Sequence, residues 1–310
     1  MDLYNYDWDN YQYWSLTRYA PRPEQRKIID EIQEAMELGF RNIILEAGTG
    51  IGKSAIATTI AKIVEDSYIL TMTNQLQSQY LDDFTYMLTE IKGRSNYPCN
   101  YQPTCEDCYM EDQGEKRCKD CQYNIALQAA LNSPNIISNY DYLFYAGNYA
   151  EIFTQRDLLI LDETHNFEKK IMSLISKTLN RKTILKKYGF DIFENITKGG
   201  TLKSIQTSEY WLSISKKLLE SAKRLPDYKP KLQKQKAKEI LKYESLIETL
   251  ENDKWIIETP TKKQIINDTD NNSGLKAEFK PLTIADYSEQ LLQFGETRLF
   301  LTGTLGNKDK

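Results

Sequence analysis

The chain has 310 residues, a formal net charge of −4 and 40% apolar residues. That is enough for two or three folded units, and too apolar for wholesale disorder. No apolar run approaches the ~20 residues of a spanning helix, and the acidic, aromatic start MDLYNYDWDN is not a signal peptide, so no membrane partner is expected.

Taken in order, residues 23 to 38 carry a helical apolar pattern (Ile28, Ile29, Ile32, Met36). Asn42 to Leu45 reads as a short buried-type strand, followed by a glycine-rich loop and a helix from Lys53 to Val64. Ser67 to Thr71 predicts a strand and Gln75 to Leu88 a helix. Asn135 to Ser138, Leu158 to Leu161 and Arg298 to Leu301 are further runs of strand length. Strands alternating with helices predict an α/β fold built on a mostly parallel sheet. Two stretches interrupt it: a turn-rich segment from 93 to 137, and a mainly helical one from 168 to 285 with few strand signals before Trp255. The expected division is therefore a core of 1–92, 138–167 and 286–310, with two insertions. Asn267 to Gly274 (NDTDNNSG) is a loop.

The mild net charge hides a partition. Residues 168 to 243 hold 19 Lys and Arg against 7 Asp and Glu, and the rest holds 21 against 37. A basic segment inside an acidic protein suits contact with a polyanion, through runs such as Lys229 to Lys238. The bland alternative is a solvated helical face. Trp211 and Trp255 suit a core better than a stacking platform. The N-terminal aromatics (Tyr4, Tyr6, Trp8, Tyr11, Tyr13, Trp14) suit packing against a neighbouring surface.

Glu46-Ala-Gly-Thr-Gly-Ile-Gly-Lys-Ser54 follows a strand and opens a helix. Small residues at Ala47, Gly48, Thr49, Gly50, Ile51 and Gly52 let backbone N–H groups close around phosphate oxygens. Lys53 would reach the β- and γ-phosphates of ATP, and Ser54 would ligate Mg²⁺. Ala47 replaces the usual first glycine. Further on, Asp157-Leu-Leu-Ile-Leu-Asp-Glu-Thr-His165 is an apolar strand ending in two carboxylates. Asp162 would hold the Mg²⁺ shell, and Glu163 would orient or deprotonate the attacking water.

All five cysteines (Cys99, Cys105, Cys108, Cys118 and Cys121) lie within 23 residues. That density suits a metal or cluster in a reducing compartment, cytoplasmic or, in a eukaryote, nuclear. Cys105-x2-Cys108-x9-Cys118-x2-Cys121 has the spacing of a four-thiolate Zn²⁺ site, and four thiolates equally hold a [4Fe–4S] cluster. The single histidine, His165, argues against a hydrolase with its own separate catalytic histidine.

Together, AGTGIGKS and DETH resemble superfamily 2 helicases of the DEAH type, with Thr164 where Ala is usual. More closely, the chain resembles the N-terminal motor half of the XPD-like and DinG-like iron–sulfur DNA helicases. Arg22-Pro-Glu-Gln25 is similar to their adenine-reading Q motif. Thr73-Asn-Gln-Leu-Gln77 is similar to motif Ia, which touches single-stranded DNA. Lys92 to Cys99 resembles the segment carrying the first cluster cysteine, and Cys121-Gln-Tyr the last, with Gln122 replacing Pro. Asn139-Tyr140 with Tyr142-Leu143 matches the family's next stretch of chain, and Thr302-Gly-Thr-Leu305 resembles motif III.

The resemblance implies a P-loop RecA-like sheet with a Cys-rich cluster insertion at 93–137 and an arch-like insertion at 168–285. It makes Cys99 a ligand alongside Cys121, leaves the choice among Cys105, Cys108 and Cys118 open, and favours the cluster over zinc. It implies an ATP hydrolase moving 5′→3′ along single-stranded or forked DNA, with Gln25 near the adenine and Thr302 and Thr304 coupling nucleotide state to DNA. Five residues follow Leu305, and no Gln-x-x-Gly-Arg-x-x-Arg pattern occurs. A second RecA-like domain or subunit is therefore expected to complete the ATP site, and the isolated chain to be inactive or weak. The rival expectation is a non-motor nucleic-acid- or partner-binding protein with structural zinc and a vestigial nucleotide site.

Overall fold

The computed structural model describes residues 14, 20–84, 87–108, 120–228, 230–252, 254–268 and 274–303. The chain divides into two units, one of residues 1–108, 116–171 and 287–310, the other of residues 109–115 and 172–286.

The strands are β1 (Asn42–Glu46), β2 (Ser67–Thr71), β3 (Thr89–Glu90), β4 (Asn135–Asn139), β5 (Arg156–Leu161), β6 (Lys177–Asn180), β7 (Trp255–Glu258), β8 (Lys276–Pro281) and β9 (Gly295–Thr302). The helices are α1 (Pro23–Glu37), α2 (Lys53–Val64), α3 (Asn74–Phe84), α4 (Gln122–Leu131), α5 (Tyr140–Asn148), α6 (Phe167–Ile175), α7 (Arg181–Tyr188), α8 (Glu194–Thr197), α9 (Ser208–Lys223), α10 (Pro230–Leu250), α11 (Lys262–Asn267) and α12 (Ala285–Leu292).

The first unit is an α/β RecA-like layer built on a six-stranded parallel sheet of order β1-β9-β5-β2-β4-β3. Its central strands carry short apolar runs, Tyr68 to Leu70, Ile136-Ile137 and Leu158 to Leu161, as strands covered by helices on both faces do. Leu158 to Leu161 are completely buried, and β2 is buried along its whole length. Ile29, Ile56, Ile60, Ile69, Phe84 and Leu299 fill the core, with Trp14 packed among them. The other N-terminal aromatics lie outside the described residues. The register pairs Glu46 with Thr302, Leu161 with Phe300 and Thr71 with Asn139, so the C-terminal ends of β1, β9, β5, β2 and β4 share one rim. Parallel α/β sheets place their ligands at that rim.

The structure corrects two expectations. β1 is an edge strand among those described, with Ile44 58% exposed, rather than a buried one. The expected insertion boundary at 137 falls inside β4, which begins at Asn135 because Ser67 to Thr71 pair with it residue for residue.

The second unit is mainly helical and carries a three-stranded antiparallel sheet, β6-β8-β7. In β8, Ala277, Phe279 and Pro281 point inward between Lys276, Glu278 and Lys280. Only Leu179 of β6 is buried, which is why Lys177-Thr-Leu-Asn180 carries too little apolar signal to read as a strand. Trp211 is fully buried against Phe193 and Phe279, and its indole N–H donates to the Ile205 carbonyl at 2.6 Å. Trp255 packs on the same core. Arg181, 4% exposed, is held by Asp191 at 2.6 Å and Asp268 at 3.0 Å.

Candidate nucleotide-binding site

The loop after β1 turns into α2 through two left-handed glycines, Gly50 at φ +83° and Gly52 at φ +89°. That backbone region favours glycine, and at Gly52 space enforces it as well. A Cβ there would lie 2.4 Å from Gln25 Nε2.

The segment before α1 braces this loop. Arg22 Nη2 donates to the carbonyls of Gly50 (2.7 Å) and Ile51 (2.8 Å), and Gln25 Nε2 donates to Ile51 (2.8 Å). Gln25 Oε1 accepts the Arg22 N–H at 2.8 Å. The Gln25 amide, 5% exposed, is thus engaged with the loop. Arg22 was not among the expected site residues; its signal was its place three residues before Gln25.

Lys53 folds back over the loop, donating to Ala47 O at 2.8 Å and Gly48 O at 3.4 Å. Ala47 N donates to Thr302 O, and Gly303 lies beside the Lys53 ammonium. Thr304 and Leu305 lie outside the described residues.

The motif II carboxylates end β5 on the same rim. Asp162 is 7% exposed. Its Oδ1 accepts the Glu163 N–H at 2.9 Å, its Oδ2 accepts the Tyr80 hydroxyl at 3.1 Å, and its carbonyl accepts the Tyr140 hydroxyl at 2.9 Å. Burial pushes the Asp162 carboxyl up, against the pull of the Tyr80 and Glu163 donors. Glu163 takes the left-handed conformation at φ +56°, uncommon for a residue with a side chain and frequent where function fixes the backbone. His165 Nε2 faces the Asn166 amide at 2.8 Å, which leaves Nδ1 to donate to Glu163 at 3.1 Å. Thr164, the departure from DEAH, donates to Leu301 O at 2.9 Å and ties motif II to β9.

These groups enclose a cavity of about 670 Å³, lined by Thr49, Gly50, Gly52, Lys53, Ser54, Asp162 and Glu163, and across from them by residues of α3. A cation, a hydroxyl and two carboxylates beside a helix N-terminus are the donor set for a metal-bound phosphate chain.

Motif Ia divides. Thr73 and Gln75 are exposed, but Gln77 is completely buried and donates to the carbonyls of Ile91 and Ile137, each at 3.2 Å. Gln77 therefore staples the sheet and does not reach DNA. Asn74 joins Asn96 at 2.9 Å and Asn139 at 2.6 Å, so the motif is bonded to the start of the Cys-rich segment. Tyr123 and Tyr142 share a hydroxyl contact of 2.8 Å, with Arg94 over the Tyr123 ring.

Two of the cysteines meet directly. Cys121 Sγ donates to Cys105 Sγ at 3.8 Å, and the Cys105 thiol also reaches Pro98 O at 3.2 Å. Cys99 accepts the Tyr101 N–H at 3.5 Å. The Tyr101 N–H holds the Cys99 thiol below the usual range, and burial pushes Cys105 up. Cys118 lies outside the described residues. Among the described residues no group of three or more His, Cys, Asp or Glu is arranged as a ready metal site.

The basic segment is only partly free. Lys187 pairs with Glu239, Lys198 with Glu194, Lys223 with Glu220 and Lys236 with Asp227. Lys238 and Lys242 are exposed one helical turn apart on α10; Lys229 lies outside the described residues. No described helix is long and apolar enough to cross a membrane.

Known proteins resemble this chain in part. UvrABC system protein B of Lactobacillus acidophilus (strain ATCC 700396 / NCK56 / N2 / NCFM) is 23% identical over 167 residues, 51% of this chain and 24% of that protein. The chain thus spans about a quarter of that relative's length. Among solved structures, XPD_APO is 16% identical with a TM-score of 0.49, over 91% of this chain and 54% of that one. Truncated XPD is also 16% identical at 0.49, over 91% and 94%, and the structure of S. tokodaii Xpd4 is 14% identical at 0.47, over 92% and 59%. The family described as "Type III restriction enzyme, res subunit" matches residues 18–187, which run from the Arg22 brace through the phosphate loop and motif II. More than half of the chain is covered by that match, and the chain belongs to this family.

Proposed function

We propose that this chain is the N-terminal motor half of an ATP-dependent DNA helicase, which couples ATP hydrolysis to movement along single-stranded DNA. The observation that carries the reading is the convergence of Lys53, Ser54, Asp162 and Glu163 on one cavity at the rim of a parallel sheet. Lys53 would meet the β- and γ-phosphates. Glu163, polarised by its contact with His165, would orient the attacking water or take its proton. Gln25 would bound the adenine side while holding the loop.

Ser54 and Asp162 fit a Mg²⁺ shell, because a hydroxyl and a carboxylate face the same cavity. Mg²⁺ would neutralise charge on the phosphates. The arginine finger would come from a second RecA-like domain or subunit, so the chain alone would hydrolyse ATP slowly. By resemblance, translocation would run 5′→3′, with Thr302 and Thr304 linking nucleotide state to DNA.

The approach of Cys121 to Cys105 fits a four-thiolate centre drawn from Cys99, Cys105, Cys108, Cys118 and Cys121. By resemblance the group is a [4Fe–4S] cluster, which would bind those thiolates and make the segment between them fold as one piece. Protein purified without oxygen should be brown, with about four irons per chain, and Cys121→Ser should lose that colour. One stoichiometric zinc and no iron would sink the cluster. For the motor, Lys53→Ala should cut nucleotide binding by roughly 100-fold or more and abolish DNA-stimulated hydrolysis once the second domain is supplied. Unchanged binding would remove the phosphate-loop assignment.

A further inference from the structure

Tyr80 belongs to no motif, yet it sits at the centre of the cavity chemistry. It lies on the buried face of α3, three residues after Gln77 and four before Phe84. Gln77 pins that helix through its two carbonyl bonds, and the Tyr80 and Phe84 rings pack 6.1 Å apart. The ring is 4% exposed, and burial beside Asp162 keeps the phenol protonated.

Its one hydrogen goes to Asp162 Oδ2 at 3.1 Å. Ser54 lines the same cavity as Tyr80 and Asp162. A phenol has a single hydrogen, so the bond to Asp162 uses the one that Tyr80 has. The opposite oxygen of Asp162 is tied to the Glu163 N–H, so the carboxylate is fixed at both ends.

We infer that Tyr80 is a positioning residue of the nucleotide site: its hydroxyl orients the Asp162 carboxylate, and so sets how tightly a divalent cation is gripped beside the nucleotide. This rests on the nucleotide reading proposed above. It adds a part played by a residue that no motif names, through a hydrogen bond to a carboxylate that would hold the cation. Precise sites need such supporting bonds, because an unsupported side chain samples other rotamers.

The test uses the full chain and a fluorescent ADP, with Mg²⁺ and with the metal chelated. Phe fills the same space as Tyr without the oxygen. Tyr80→Phe is expected to shrink the gain in ADP affinity conferred by Mg²⁺ about tenfold. It should also move the Mn²⁺ paramagnetic resonance spectrum of bound Mn²⁺–ADP towards that of Mn²⁺–ADP in buffer. A wild-type Mg²⁺ gain and spectrum in Tyr80→Phe overturns the inference. So does an equal loss of affinity with and without metal, which would mark a packing role. Lys53→Ala is run in parallel. If it binds ADP as tightly as wild type, the nucleotide reading itself fails and Tyr80's part falls with it.

Discussion

The nucleotide cavity of the first unit and the body of the second use charge in different ways. In the first, Lys53, Asp162 and Glu163 face a common cavity, and none of them is neutralised by a close ion pair with another. In the second, much of the charge is matched locally: Arg181 lies between two aspartates, and Lys187, Lys198, Lys223 and Lys236 each have a carboxylate. A surplus counted along the sequence therefore overstates what a surface offers to a polyanion. Charges that converge without cancelling mark a binding site more reliably than charges that are merely abundant.

That contrast can be broken most severely at Arg181. Its removal as Arg181→Leu leaves Asp191 and Asp268 without their cation, and should cost the second unit about 3 kcal/mol or more. Urea unfolding followed by tryptophan fluorescence, with Trp211 and Trp255 as reporters in that unit, would read it. A loss below about 1 kcal/mol would mean that these pairs are not structural.

A smaller effect sharpens the contrast on α10. Lys238→Gln with Lys242→Gln should weaken single-stranded DNA binding and lower the slope of log K against log salt by roughly 0.7 for each phosphate no longer neutralised. Lys236→Gln, at a lysine already paired with Asp227, should do less. Equal slopes in all variants would make the helix a solvated face.

The smallest effect is a pH dependence. Lys177 is half-buried and donates to Ser245 and Thr249, and desolvation lowers its pKa from 10.5 to about 8. The unfolded chain then binds more protons than the folded one between those values, so stability rises with pH across that window and levels off above it. Lys177→Met should flatten that rise in thermal melts of the chain. A rise of the same size in the variant would assign it to other groups.

The phosphate loop and the Asp162-Glu163 pair were legible because their chemistry is local. A strand, small residues and a helix start lie within a dozen positions, and one apolar strand ends in two carboxylates. The inner strands β2, β4 and β5 were legible for a related reason: each holds a short apolar run that the sheet buries. β6 was not, since an edge strand with one inward residue carries no such run. Nor was the fate of Gln77, whose motif suggested an exposed contact and whose helical face turned it inward.

Sequence by itself determined which groups are available: a phosphate loop, two carboxylates, five thiols and a basic stretch, each set by covalent order. Tertiary structure decided which of them meet. It brought Tyr80 onto Asp162 across 82 positions of chain, set Arg22 against the loop, and brought Cys121 against Cys105. Hydrogen bonds act over about 3 Å whatever the separation along the chain, so those partnerships exist only once the sheet has aligned its strand ends.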